Sequence, residues 1–358
     1  EMTSSLVGSE MCIRDSFLTN FVIYMKGVFI MQNKPIIYQP GVVPQEIYSG
    51  VPSFMGLPVA KTAEDVKNFD FAVMGVPWEG GCTYGGFSSC VVAPKTFRGV
   101  STRYTGYLPD YDIDTFDYMT ACDYGDTVVQ NGNYDLTFAN MREKFGEIID
   151  AGAIPITFGG DHSISYPMIS EMAKRHKKRV GVIHFDAHLD TMPSFGDDLY
   201  SRCSPFNRLY QDENFDSTKI VHIGIRGPRN HPQERREAEK YGATVIPAME
   251  IKKNGYEATI KKALEIASKD TDMIYVTICS DVLDASANPQ GPVDPCGLTS
   301  FELAMMVNEC GRAGANAFDF VEIYPETCGT QMSAHTGVWM ALYFMNGLAA
   351  RKAEKVQK

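Results

Sequence analysis

The sequence predicts an α/β fold, a mostly parallel sheet with helices on both faces. Three observations predict it. Short apolar runs at 71–76, 154–158, 180–185, 220–225 and 273–278 are continuous, the pattern of strands buried on both faces. Stretches with apolar residues at helical spacing lie between them, as at Phe138, Met141, Phe145, Ile148 and Ile149. Glycine and proline stand at the strand ends, and the alternation of strand with helix is that of repeated β–α units.

In chain order, 71–77 reads as the first strand, stopped by Gly75 and Pro77. A Gly- and Cys-rich loop follows from Trp78 to Val92, at a strand end where open α/β sheets place ligands. Glu79, Tyr84 and Ser88 are candidates to face a substrate there, with ordinary loop residues as the alternative. A helix is expected over 94–100. Tyr104, Tyr107, Tyr111 and Tyr118, interspersed with aspartates, suit surface or interface packing, or else a cationic ligand. The helix over 138–151 ends at Gly152, and the strand over 154–158 opens into Gly159-Gly160-Asp161-His162-Ser163. The two glycines allow a tight turn, which holds His162 at a strand–helix junction. A helix to about Lys178, the strand over 180–185 and a long loop to about Asp216 come next. Further strands are expected over 220–225, 244–246, 273–278 and 317–323, and helices over 234–241, 257–268, 299–313 and 333–350. Neither an internal repeat nor a linker is visible, so 36–358 is expected to be one domain.

Composition narrows the function. A net charge of −11 without a long basic run argues against nucleic acid or an anionic membrane as partner. Nine scattered cysteines without a CxxC pair imply a reducing compartment, hence a cytoplasmic protein, and no disulfide framework. No apolar run is long enough to span a bilayer. Residues 3–16 resemble a translated sequencing adapter, so 1–35 are expected to be disordered or artefactual, with Met25 or Met31 as candidate starts.

The chemistry lies at the strand ends. Val180–Phe185 runs into Asp186-Ala187-His188-Leu189-Asp190, and strand alternation is expected to put Asp186, His188 and Asp190 on one side. Two carboxylates and an imidazole on one face form half of a metal site. His162 and the segment Cys279-Ser280-Asp281-Val282-Leu283-Asp284 supply matching residue types, and Glu322 ends the last strand.

These motifs, Gly-Gly-Asp-His-Ser at 159–163, Phe-Asp-Ala-His-Leu-Asp at 185–190, Ser-Asp-Val-Leu-Asp at 280–284 and Asp-Phe-Val-Glu at 319–322, come in the order and spacing of the ureohydrolases. The sequence after about Gln39 resembles that family of arginases, agmatinases and guanidinium hydrolases. The arm at 48–54 resembles the agmatinase side, and 288–295 is more similar to guanidine-hydrolase relatives. The resemblance implies a three-layer α/β/α fold around an eight-stranded sheet, two divalent ions (manganese, or nickel as in the guanidine-hydrolase branch) and a small guanidino substrate. It also implies a trimer or hexamer. Guanidinium is a poor electrophile that neutral water does not attack, and two metals that lower the pKa of water answer that difficulty. By position, His162, Asp186 and Asp190 would bind one ion, with Asp186 bridging to a second held by His188 and Asp281. Asp190 would also hydrogen-bond the hydroxide, and Glu322 would pair with the guanidinium. Urea and an amine, or ammonia, would leave.

Two positions depart from the pattern. Cys279 stands where the family's bridging aspartate is expected, and alternation aims it with Asp281. It is open whether its thiolate bridges two ions as a soft ligand, or is a small buried hydrophobe in a site that has lost its bridge, or reflects a sequence error. Arg202 stands in a segment where relatives carry a proton-handling histidine, and arginine is a poor acid or base at neutral pH. The alternative to an active hydrolase is therefore a metal-deficient paralogue, structural or regulatory, that partners an active subunit.

Overall fold

The computed structural model describes residues 52–81, 88–177, 179–325 and 330–356. The expectations for 1–51, and for Tyr84, fall outside them. Among the described residues ten strands form: β1 Phe71–Gly75, β2 Tyr107–Leu108, β3 Ile113–Asp114, β4 Ala121–Asp126, β5 Ile154–Phe158, β6 Val180–Phe185, β7 Ile220–Ile225, β8 Thr244–Pro247, β9 Met273–Cys279 and β10 Ala317–Val321. Eight of them make one sheet in the order β4-β1-β5-β10-β9-β6-β7-β8, and every pairing in it is parallel. Strands β2 and β3 form a separate antiparallel pair.

Parallel strands need covered faces, and the residues alternate accordingly. Val73, Ile183 and Phe185 join a core made with the helices Ala93–Ser101, Tyr256–Ala267, Ser300–Ala313 and Met332–Val356. Ala72, Met74 and Val182 join the opposite core, made with Tyr134–Asp150, Ser165–Arg175 and Pro205–Tyr210. The result is the three-layer α/β/α architecture. Among the described residues no helix is long and apolar enough to cross a membrane.

Most expected helices and strands form within a residue or two; the helix expected over 138–151 begins at Tyr134, that over 333–350 runs to Val356, and that expected to about Lys178 ends at Arg175. Other exceptions are instructive. The eighth strand of the sheet is Ala121–Asp126, a sequence with no apolar run. It lies at the sheet edge, and its Asp123 carboxylate takes a bidentate pair from Arg98, with Nε to Oδ2 at 2.7 Å and Nη2 to Oδ1 at 2.9 Å. The loop expected after β6 contains a helix, Pro205–Tyr210. The last strand stops at Val321, one residue before Glu322.

Sheet topology positions the site. The chain builds β1, β4 and β5 towards one edge, then β6, β7 and β8 towards the other, and β9 and β10 later fill the gap. The middle four strands are thus β5, β10, β9 and β6. In register, Phe158 pairs with Phe320, Phe320 with Ile278, and Ile278 with Phe185. His162, Glu322, Cys279 with Asp281, and Asp186 to Asp190 all follow that single row. Neighbouring strands lie about 4.8 Å apart, so the four strand ends deliver these groups to one crevice at the switch in strand order.

Candidate metal centre

The structure brings together His162, Asp186, His188, Asp190, Cys279, Asp281 and Glu322. The route differs from strand alternation. Strand β6 ends at Phe185, and Asp186 folds the next residues into a turn by accepting the His188 N–H at 2.6 Å. Asp190 then adopts a left-handed conformation, φ 51°, its carbonyl accepting the Phe206 N–H at 3.2 Å. Likewise β9 ends at Cys279, and Asp281 lies on the single helical turn Ser280–Val282, so a turn of helix carries it into the site. Glu322 is also left-handed, φ 62°, with its N–H donated to the Gly160 carbonyl at 3.0 Å. Such conformations cost about 1–2 kcal/mol each and are held by the surrounding bonds. Gly160 has a packing reason to be glycine: a Cβ there would lie 1.7 Å from the Trp78 carbonyl oxygen.

His162 is buried and oriented from behind. Its Nε2 lies 3.2 Å from Thr277 Oγ1, which donates to Asp319 Oδ1 at 2.6 Å. Asp319, the first residue of the fourth motif, also accepts from Ser165 and Tyr275, each at 2.8 Å. This leaves Nδ1 facing Asp186 Oδ2 at 3.0 Å and Asp190 Oδ2 at 2.8 Å, without the geometry of a hydrogen bond to either. A buried nitrogen with no hydrogen-bond partner, packed among carboxylate oxygens, suits a cation between them.

The second cluster is equally tight. His188 Nδ1 lies 3.0 Å from Asp281 Oδ2 and 3.4 Å from Asp186 Oδ1. Ligand atoms of Asp186, Cys279 and Asp281 fall within 4.8 Å of one another, as do those of His188, Asp281 and Asp294. Oxygen and nitrogen donors of this kind fit divalent manganese, and the Cys279 sulfur adds a softer donor. The Cys279 thiol is buried, which together with Asp186 and Asp281 pushes its pKa well up.

Electrostatics follow from burial and proximity. Burial opposes charge on His162 and His188, but the carboxylates around them outweigh it and raise both. Burial and the Asp186 charge push Asp190 up to about 7. Asp186 is buried too, yet its three histidine contacts hold it well below the usual carboxylate range.

The site opens into a cavity of about 330 Å³, lined in part by His188, Asp190, Arg202, Arg229, Cys279 and Glu322. One cavity contact had no signal in the sequence. Arg202, from a segment 120 residues away, donates its Nη1 to Glu322 Oε2 at 2.9 Å. Tyr324 donates to the same oxygen at 2.7 Å and receives Arg202 Nη1 at 3.0 Å. Glu79 accepts from Ser88 Oγ at 2.6 Å, and that Oγ lies 3.4 Å from Arg202 Nη2. These two loop candidates therefore back the arginine. Asp284, in the third motif, caps its own turn by accepting from Ser286 and stays outside.

The model of the arginase family matches residues 69–346, which takes in all four motifs and all the converging groups. The chain belongs to the arginase family. Among relatives of this ureohydrolase, the mitochondrial agmatinase of Gallus gallus is 30% identical over 77% of this chain and 79% of that protein. Among solved structures, proclavaminate amidino hydrolase from Streptomyces clavuligerus is similar with a TM-score of 0.77 at 26% identity, over 85% of this chain and 99% of that one. The Trypanosoma cruzi formiminoglutamase described with Mn2+2 shares the fold, with a TM-score of 0.75 at 23% identity over 84% and 100% of the two chains.

Sequence reasoning passed over three further groups in this family member. Asp294 Oδ2 lies 3.5 Å from His188 Nε2 and pairs with Arg229 Nη1 at 2.7 Å. His184 Nε2 lies 3.0 Å from Asp186 Oδ2, and its Nδ1 is 2.7 Å from His222 Nδ1. His222 Nε2 in turn lies 2.6 Å from the Tyr210 hydroxyl. The network has a consistent direction, from the tyrosine O–H through two neutral imidazoles to Asp186. Burial supports it, holding His184 down at about 4 and His222 well below its usual value. His184 was legible only as the polar residue of an apolar strand.

Proposed function

We propose that the protein is a metal-dependent amidinohydrolase that cleaves a guanidino C–N bond of a small guanidino compound, releasing urea. The observation that carries this reading is the convergence of His162, Asp186 and Asp190, and of His188, Asp186 and Asp281, at the ends of the middle four strands. Two divalent ions held by these side chains, manganese first and nickel second, would lower the pKa of water to supply hydroxide at neutral pH and polarise the substrate. Asp190 takes the nucleophile's hydrogen bond, and Glu322 pairs with the planar guanidinium. Thr277 and Asp319 fix the His162 ring, and Tyr210, His222 and His184 fix the Asp186 carboxylate. A cytoplasmic homo-oligomer built from one domain over 36–358 completes this reading.

A second reading has specific support. Cys279 stands at the expected bridging carboxylate, and Arg202 already occupies Glu322. A chain impaired in this way would be a structural or regulatory partner of an active subunit. Urea release from agmatine, guanidinobutyrate, guanidinopropionate and guanidine, measured on manganese- and nickel-reconstituted protein, separates the two readings. Turnover of any of them by the wild type supports the hydrolase. If only Cys279→Asp turns over, the native site is impaired, and no turnover by either protein supports the partner role.

A further inference from the structure

Glu322 is the group that the proposed function assigns to the substrate guanidinium, and the chain's own Arg202 guanidinium already sits on it. Arg202 is well anchored: it contacts Glu322, Tyr324 and Ser88, and its Nε reaches the Gly81 carbonyl at 3.4 Å. A substrate must therefore exchange one guanidinium for another. After the exchange Arg202 remains charged beside the cavity, because arginine does not release its proton. It then needs an anion.

Among the described residues, the other carboxylates on the cavity wall are already engaged, as is Asp161 behind Arg202, which accepts from Gly81 and Ser163. Asp190 and Asp281 belong to the metal donor set. Glu234 caps its own helix, its Oε2 accepting the His231 N–H at 2.8 Å. The second cation on the wall, Arg229, is half-exposed, and its contact with Asp294 at 2.7 Å leaves the guanidinium at the cavity edge.

We propose that the substrate is a guanidino acid, whose guanidinium takes Glu322 from Arg202 while its carboxylate receives the displaced Arg202 and Arg229. This rests on the proposed function and adds the substrate class. A guanidino acid keeps both Glu322 and Arg202 paired through the exchange and gives Arg229 a second partner. Agmatine, with an ammonium at its other end, displaces Arg202 and offers it a like charge. Guanidine displaces it and offers nothing. Arg202 is then the specificity-determining residue of the site.

The test compares 4-guanidinobutyrate and 3-guanidinopropionate with agmatine, by kcat/KM for urea release on the manganese-reconstituted protein and by calorimetric binding to the metal-free protein, where no turnover intervenes. The expected result is a preference for the acids of about tenfold or more in both readouts. Arg202→Ala is expected to erase or reverse it, by weakening the acids and strengthening agmatine. Arg229→Ala is expected to reduce the preference, with thermal unfolding of the metal-free variant checking that the fold survives loss of the Asp294 contact. Agmatine binding as well as the acids, or a preference unmoved by either substitution, overturns the proposal but leaves the hydrolase reading standing. Failure of every guanidino compound to bind overturns both.

Discussion

His162 is set by Thr277: the ring Nε2 lies 3.2 Å from the threonine Oγ1, whose own O–H donates to Asp319. This contact makes Nε2 the protonated nitrogen and leaves the Nδ1 lone pair facing Asp186 and Asp190. Thr277→Val keeps the shape and removes the hydroxyl. It is expected to weaken retention of the ion at His162 by about 10–100-fold, measured by metal titration with a chelator. An affinity equal to that of the wild type would mean the threonine does not orient the ring.

Asp294 plays the matching part for His188. Its carboxylate stands near Nε2, in the same cluster as Asp281, and Arg229 holds it there. Asp294→Asn removes the charge and keeps the size. Retention of the ion at His188 should fall by about tenfold or more while the ion at His162 stays. The readout is metal per chain after gel filtration, and loss of both ions together, or of neither, would contradict a role confined to His188.

Ion binding should depend on pH with a definite sign. In the metal-free protein the surrounding carboxylates raise His162 and His188 despite burial, which favours the charged ring over the neutral one that an ion needs. An ion needs the neutral ring and the ionised carboxylate, so loading releases protons. Apparent affinity therefore rises with pH, and more steeply below about 7, where Asp190 is protonated as well. Competition titrations from about pH 6 to about pH 8.5 check this, and a flat or falling profile would contradict it.

Stability away from the site rests on a different pair. Asp123 and Arg98 are both buried, and Asp123 Oδ2 also accepts the Phe54 N–H at 2.7 Å. Asp123→Ala leaves the buried arginine with Asp126 alone and is expected to cost about 3 kcal/mol in urea denaturation of the metal-free protein. A loss below about 1 kcal/mol would mean that water reaches Arg98 and compensates.

Much of the fold was legible because most central strands are apolar throughout and the helices keep their spacing. Ala121–Asp126 was hidden because an edge strand spends Asp123 on Arg98 and needs no apolar run. The site residues were legible as motifs, but their geometry was not. Asp186, His188 and Asp190 converge through a turn, and Asp281 arrives on a helical turn, neither of which follows strand alternation. The Arg202 contact with Glu322 spans 120 residues, and the Asp294 contact arises from a Pro/Gly loop. Local pattern carries no information about such partners, which depend on how loops above different strands close over one crevice.

The central claim is a binuclear metal centre, and metal content per chain tests it most directly. The protein is purified without a metal-chelating tag, reconstituted separately with manganese and nickel, and freed of loose ions by gel filtration. About two tightly held ions per chain from at least one metal is the predicted result, with Cys279 in place. One ion or none with both metals would contradict the account.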